Sequence, residues 1–161
     1  MRKFSLAPLL ALSVLVAGEP SGIEPRVSRS QYEVTCFTES LAVAATLLSH
    51  DQVSRLFGAK LDRDYVVVEV GFYSKSRSAF DVRQSDFKLR LKPSGAVIPA
   101  ADPRSIGDLE SRKALPDVAT SRAVAGYLFF PIEANLGRAG YELDYKGNGA
   151  WLTLPIRSLY R

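Results

Sequence analysis

The residues most suggestive of catalysis are Ser49, His50 and Asp51, which supply side by side the three side-chain types of a hydrolytic triad. A working triad needs a nucleophile, a base and an orienting acid that converge in space. Neighbouring residues at a helix start point in different directions, and Ser49 suits the role of helix N-cap. His50 is the only histidine of the chain. We therefore predict a solvated helix start here and a protein that is not an enzyme.

The chain has few residues of the types that bind metal ions or cofactors. Transition metals are held by clustered histidine, cysteine or methionine, and the chain has one of each. Asp62, Asp64 and Asp81 could offer oxygen ligands to Ca²⁺, but loop acids are more often solvated. The single cysteine, Cys36, can form no internal disulfide, and its strand-like surroundings favour a buried thiol over a reactive or intermolecular one. The sequence predicts no metal and no cofactor.

A row of positive charge is the strongest candidate for a binding surface. Lys88, Arg90 and Lys92 alternate with apolar residues, which is typical of a half-buried strand with its cations outside. Such a row would suit an acidic partner, a polysaccharide or lipid head groups. The alternatives are a solvated edge strand, or a strand whose cations pair with Glu142 and Asp144 on a neighbouring strand.

Aromatic residues could extend that surface. If several share an outer face, they would hold a protein partner or a sugar, and if they split between faces they belong to the core. The residues in question are Tyr65, Tyr73, Tyr127, Tyr141, Tyr145 and Trp151. The candidate partner-binding surface combines the cations with three of them: Lys88, Arg90, Lys92, Tyr141, Tyr145 and Trp151.

The element that must position these groups is the strand predicted at Tyr65–Tyr73, the richest run of β-branched and aromatic residues in the chain. Side chains alternate between the two faces of a strand. One face is wholly apolar and is predicted to point inward: Val66, Val68, Val70 and Phe72. The opposite face carries the carboxylate of Glu69. This pattern predicts one strand of a β-sandwich.

Further strands and turns are predicted on both sides of it. The strand patterns cover residues 31–38, 40–48, 80–83, 87–92, 96–99, 122–132 and the two arms around Gly147-Asn148-Gly149. Residues 40–48 are rich in alanine, a poor strand former, so a helix is the alternative there, although a strand is favoured. That segment leads into a strand pattern and not into a helix, so it predicts a hairpin turn of the Asn-Gly type and excludes a phosphate loop.

Two short helices are predicted as connectors. Ser49 and Gln52 form a capping-box pattern for a helix over residues 50–57, which we place across one end of the sandwich with Phe57 as a plug. Residues 59–64 are predicted to be a polar link. Asp102 followed by Pro103 predicts a second helix near residues 103–113.

The N-terminus predicts export. Two cations precede an uncharged apolar run of about 14 residues, which is typical of a secretory signal and shorter than the roughly 20 residues of a membrane span. Residues 1–18 are therefore assigned to a signal peptide, 19–30 to a flexible lead-in and 31–161 to one β-sandwich domain. Glu19 stands where a lipoprotein signal requires cysteine, so we predict a secreted or periplasmic protein without a lipid anchor.

The charge of the chain argues against nucleic acid as a partner. Removal of Arg2 and Lys3 with the signal lowers the formal net charge from +4 to +2. Nucleic-acid binding depends on clustered cations that neutralise phosphates, and a balance this small gives little support for it. No transmembrane segment is predicted after signal cleavage, and the oligomeric state is left open.

Several motifs resemble the secreted bacterial immunoglobulin-like (telokin-like) domains of unknown function. The resemblance spans residues 40–155 and is carried by Leu56-Phe57-Gly58, Tyr65–Tyr73, Ser85-Asp86-Phe87-Lys88-Leu89 and Ile98-Pro99-Ala100-Ala101-Asp102-Pro103. It implies export and an all-β fold, an immunoglobulin-like antiparallel sandwich of about seven to nine strands with two short connecting helices. It implies no catalytic residues.

We expect an exported binding or structural module that engages a protein of the cell envelope or the extracellular space. The alternatives are a sandwich that binds carbohydrate or a small ligand, and an accessory domain of an envelope enzyme.

Overall fold

The computed structural model describes residues 21–132 and 140–156, and these form ten strands and three α-helices. The strands are β1 (Val34–Phe37), β2 (Leu41–Leu47), β3 (Tyr65–Ser74), β4 (Phe80–Val82), β5 (Phe87–Lys92), β6 (Val97–Pro99), β7 (Val118–Thr120), β8 (Val124–Pro131), β9 (Gly140–Gly147) and β10 (Ala150–Ile156). The helices are α1 (His50–Phe57), α2 (Ala59–Asp64) and α3 (Asp108–Lys113). Single 3₁₀ turns occupy Arg29–Gln31, Gln84–Asp86 and Pro103–Ser105.

The strands form two four-stranded sheets that pack face to face. Sheet I has the order β1-β2-β3-β8, and sheet II has the order β10-β9-β5-β6. Strands β4 and β7 make a separate pair, and every pairing between these strands is antiparallel. The predicted all-β sandwich is confirmed, with ten strands in the described residues instead of seven to nine. The three-residue strand β7 was not predicted, because three residues carry no readable periodicity.

The core lies between the sheets and is organised by β3, as its alternation predicts. All four residues of the predicted inward face belong to it: Val66, Val68, Val70 and Phe72. The ring of Phe72 stacks on Phe80 at 5.9 Å between centroids. It meets Phe87 and Tyr145 edge to face at 5.8 and 5.6 Å. Edge-to-face pairs of this kind add about 0.5–1.5 kcal/mol beyond the area that they bury.

Helix α1 begins as its sequence predicts, but its position differs from the prediction. Ser49 accepts a hydrogen bond from the Gln52 amide and Gln52 bonds back to the Ser49 amide, which completes the capping box. Phe57 does not plug an end of the sandwich: its ring packs on Tyr127 and Phe129 at 5.3 and 5.4 Å, on the outer face of sheet I. This face carries large apolar side chains, so water contact is avoided only if another element covers it.

Two connectors differ from their predictions. Residues 59–64 form helix α2 instead of a polar link, because Leu61 is buried beside α1 and against sheet I. Gly58 allows the change of direction between the two helices, since its φ of +96° is open mainly to glycine. The predicted helix at residues 103–113 is divided by Gly107, whose extended backbone separates the Pro103 turn from α3.

The described part of the predicted flexible lead-in is bonded to the sandwich. Ile23 donates its amide proton to the Ala125 carbonyl oxygen at 2.9 Å, and Arg26 pairs with Glu69 on β3. Residues 21–33, which we call the strap, therefore lie along the outer face of sheet I. The predicted signal peptide at residues 1–18 lies outside the described residues.

Candidate functional site

The two sheets differ in what lies on their outer sides. Sheet I carries α1, α2, α3 and the strap, and we call its outer side the covered face. The outer side of sheet II, which we call the open face, presents mainly exposed or half-exposed side chains: Lys88, Arg90, Lys92, Val97, Pro99, Glu142, Asp144, Lys146, Trp151, Thr153 and Pro155. Asp144 is buried there, enclosed by its own partners. A surface that must meet another molecule is best sought on the open face.

The covered face contains the most deeply buried ion pair that the structure describes. The side chain of Glu69 is only 7% exposed and receives Arg26 in a bidentate contact, Nε to Oε1 at 2.9 Å and Nη2 to Oε2 at 2.6 Å. This pair raises the pKa of the Arg26 guanidinium above its ordinary value. Arg26 also lies over the ring of Tyr32 at 4.6 Å. The Glu69 carboxylate is thus largely shielded from water by Arg26.

Two ion pairs connect β5 to β9 on the open face. The antiparallel register sets Lys88 opposite Asp144 and Arg90 opposite Glu142. The ion pairs run diagonally, from Arg90 Nη2 to Asp144 Oδ2 at 2.5 Å and from Lys92 Nζ to Glu142 Oε1 at 2.5 Å. Each of these two cations therefore pairs not with the residue directly opposite on β9 but with the acid two residues further along β9, toward the β9–β10 hairpin. For Arg90 and Lys92, the predicted alternative of cross-strand pairing is observed.

The diagonal series stops at Lys146. The next outward position of β9 after Glu142 and Asp144 would have to be acidic to pair with Lys88, but it is a lysine. Within residues 21–132 and 140–156, Lys88 makes no ion pair. Lys146 lies beside Trp151, with Nζ 6.0 Å from the ring centroid. We call Lys88, Lys146 and Trp151 the ladder end.

Trp151 is the most exposed aromatic side chain that the structure describes. It remains 69% exposed, and the hairpin register sets it directly opposite Lys146. Trp151 and Lys88 belong to the predicted binding surface, whereas Lys146 was not predicted to lie on it. A signal for it was present, because Lys146 follows Glu142 and Asp144 at a period of two and the Asn-Gly turn pairs it with Trp151.

Tyr141 and Tyr145 are not part of this surface, which corrects their assignment to it. Both belong to the core, and Tyr145 is fully buried, with its hydroxyl accepting a hydrogen bond from Asn148 Nδ2 at 2.7 Å. Burial raises the pKa of Tyr145. The reason is alternation: the outward positions of β9 are taken by charged residues, so the tyrosines share the inward face with Leu143.

The remaining tyrosines do not join Trp151 on the open face. Tyr127 is buried beneath α1, and Tyr65 packs against the same apolar cluster. Tyr73 donates its hydroxyl proton to the Arg26 carbonyl oxygen at 2.8 Å, beneath the strap. The shared aromatic surface on which the carbohydrate alternative depended is therefore not formed by the described residues.

The groups considered for catalysis and metal binding serve local structure. His50 Nδ1 lies 2.7 Å from Asp62 Oδ1 and so connects α1 to α2, while the Ser49 hydroxyl accepts from the Gln52 amide. Cys36 is half-buried on β1, 3.7 Å from the Thr153 carbonyl oxygen, and burial raises the pKa of its thiol. In the described ranges, no three His, Cys, Asp or Glu residues lie close enough together to hold a metal ion.

The helices of the described chain do not have the dimensions of membrane spans. Between residues 21 and 132 and between 140 and 156, they are too short or too polar to cross a bilayer.

Comparison with known proteins gives distant structural similarity alone. No family model matches the chain, and no curated protein matches it. A candidate lipoprotein of Bacillus subtilis, ycdA, is 18% identical with a TM-score of 0.48, over 75% of this chain and 37% of that one. The yjhA protein of Bacillus subtilis is 13% identical with a TM-score of 0.48, over 78% and 96%. A protein of unknown function from Listeria monocytogenes is 8% identical with a TM-score of 0.45, over 76% and 80%.

These similarities identify neither a family nor a function. This chain spans about a third of the length of ycdA. The resemblance to telokin-like domains stays a prediction from the sequence motifs.

Proposed function

We propose that this chain is an exported, non-catalytic binding module that engages a protein of the cell envelope or the extracellular space through its open face. The observation that carries the proposal is the exposure of Trp151 on a sheet face that no described helix covers. Tryptophan is costly to leave in water and is enriched among the residues that dominate binding energy at interfaces.

The sequence supports the exported location. The positively charged start, the short apolar run and the small residues before Glu19 are the three parts of a secretory signal. Export would bring the open face into contact with the proteins of the periplasm or the cell exterior. A secreted or periplasmic location is accordingly part of the proposal.

A non-catalytic role is supported by the use made of the reactive side chains. The Ser49 hydroxyl accepts from the Gln52 amide and so serves as a helix cap, and the His50–Asp62 contact connects α1 to α2. The alternative of an accessory domain of an envelope enzyme stays a prediction, because a binding module could serve an enzyme in this way.

Differential capture from envelope extract tests the proposal. The exported chain, a Trp151→Ser variant and a Phe37→Ser control would be immobilised and compared. Phe37 is a suitable control because it is also exposed, at 51%, and also lies near two cations, but at the edge of sheet I.

We expect the same protein to be captured by the wild-type chain and by Phe37→Ser, and to be lost with Trp151→Ser. Equal capture by Trp151→Ser, or capture by none of the three, would refute binding through the open face.

A further inference from the structure

We propose that the ladder end receives a carboxylate from an acidic segment of the partner protein. This inference rests on the proposed function and adds the chemistry of the partner. Lys88, Lys146 and Trp151 would then form one composite site, with the two ammonium groups around the carboxylate and the indole beside an apolar neighbour in the segment.

The ion pairs of the open face follow a simple pairing rule. Lys92 reaches Glu142 and Arg90 reaches Asp144, in both cases diagonally toward the hairpin. Lys88 lies opposite Asp144, and the residue two positions further along β9 in the same direction is Lys146. Diagonal positions in an antiparallel pair are about 7–8 Å apart along the backbone, a spacing that Arg90 and Lys92 span to reach their acids. Two long lysine side chains at such positions can repel each other or approach one shared carboxylate.

The charge of the whole face supports the same conclusion. Among the residues that the structure describes, four cations share this face with two acids: Lys88, Arg90, Lys92 and Lys146 against Glu142 and Asp144. The two diagonal ion pairs neutralise both acids, so the excess of two positive charges is concentrated at the ladder end. A carboxylate from outside would relieve the repulsion and complete the series of pairs.

A protein segment fits this site better than a polyanion or an anionic membrane. Polyanions bind by neutralisation of many charges at once, whereas the described part of this face offers two cations without an ion pair, beside two carboxylates that are already paired. Trp151, by contrast, needs a partner group with apolar area. Acidic peptide segments can place a single carboxylate next to an apolar side chain.

The decisive variant is Lys146→Glu, which supplies the missing acid from within the chain. The introduced carboxylate would stand where Lys88 can reach it diagonally, so the fold should be kept. Capture of the envelope protein should fall by about tenfold or more, because like charges across an interface oppose association. Lys60→Glu is the matched control, since it makes the same charge change at an exposed lysine of helix α2, away from the open face. Lys88→Gln provides a second variant and should weaken capture in the same direction.

Panning a random twelve-residue peptide library identifies the chemistry while the partner is still unidentified. Peptides retained by the wild-type chain and by Lys60→Glu, but not by Lys146→Glu, should be enriched in Asp and Glu next to an aromatic or aliphatic residue. Enrichment without acidic residues would overturn the inference. Vesicles of phosphatidylcholine and phosphatidylglycerol at 3:1 form a second arm, and their binding to the wild-type chain with loss in Lys146→Glu would overturn it in favour of a lipid.

The outcomes separate this inference from the proposed function. Loss of capture with both Trp151→Ser and Lys146→Glu supports both. Loss with Trp151→Ser alone leaves the proposed function standing and refutes the acidic partner. Capture that survives both substitutions refutes both.

Discussion

The covered face and the open face each present every second side chain of their strands to the outside of the sandwich, yet other segments pack on the first and no described helix packs on the second. On the covered face, the single carboxylate of β3, Glu69, is enclosed by Arg26 of the strap. On the open face, the ammonium and guanidinium groups of β5 reach Glu142 and Asp144 from the solvent side. The alternation of a strand thus decides which side chains point outward, while segments remote in sequence decide whether those side chains contact water.

The first way to test this comparison is to remove the arginine from each face. Arg26→Ala should lower the free energy of unfolding by about 2–4 kcal/mol, because it leaves Glu69 charged and enclosed. Arg90→Ala should lower it by only about 1 kcal/mol, because Thr153 still donates to the buried Asp144 carboxylate and Lys88, directly opposite on β5, can take the place of the lost cation. Urea unfolding followed by circular dichroism measures both values. Equal losses would show that the two faces do not differ in solvent access.

The second test replaces one aromatic side chain from each face. Phe57→Ala should lower the free energy of unfolding by about 1.5–3 kcal/mol, since its half-buried ring fixes α1 to Tyr127 and Phe129. Trp151→Ala should change it by no more than about 0.5 kcal/mol, as expected for an exposed side chain. The same unfolding measurement applies. A large loss from Trp151→Ala would mean that Trp151 supports the fold and would weaken its assignment to binding.

The third test compares two glycines. A Cβ at Gly71 would lie 2.5 Å from the Tyr32 hydroxyl oxygen, so Gly71→Ala must displace the strap and should cost about 1–3 kcal/mol. A Cβ at Gly140, on sheet II, would meet Lys92 at an ordinary 3.8 Å, and Gly140→Ala should stay within about 0.5 kcal/mol. Thermal unfolding of the two variants checks this. If Gly71→Ala is tolerated as well as Gly140→Ala, the strap is not closely seated on the covered face.

The smallest effect concerns the fluorescence of Trp151, the only tryptophan of the chain. Its emission should resemble that of indole in water, and the ratio of iodide to caesium quenching constants should exceed that of free N-acetyltryptophanamide, because Lys146 attracts anions. Lys146→Gln should reduce the difference between the two quenchers. A wild-type ratio no higher than that of N-acetyltryptophanamide would argue against a positive ladder end.

Local patterns predicted much of the fold. The β3 strand, the capping box at Ser49 and the Asn-Gly hairpin depend on residues within a few positions of one another, and the structure has all three. The site was predicted in part. Lys88 and Trp151 lie on the open face, whereas Tyr141 and Tyr145 were assigned outward although they alternate with the charged residues of β9.

The segments that cover sheet I and the pairing register of the strands could not be predicted from local patterns. Nothing near Glu69 in the sequence indicates that Arg26, 43 residues earlier, would enclose it. Likewise, Lys146 can be recognised as standing where an acid would have paired with Lys88 only when the register of β5 against β9 is known. The reason is that Lys88 and Lys146 are far apart along the chain.

The sequence by itself determined the inward face of each long strand, because side-chain direction follows from backbone geometry residue by residue. The tertiary structure decided which outward face remains in contact with water, because burial depends on elements that are remote in sequence and pack only after folding. The tertiary structure likewise brought two lysines and a tryptophan together at one end of sheet II.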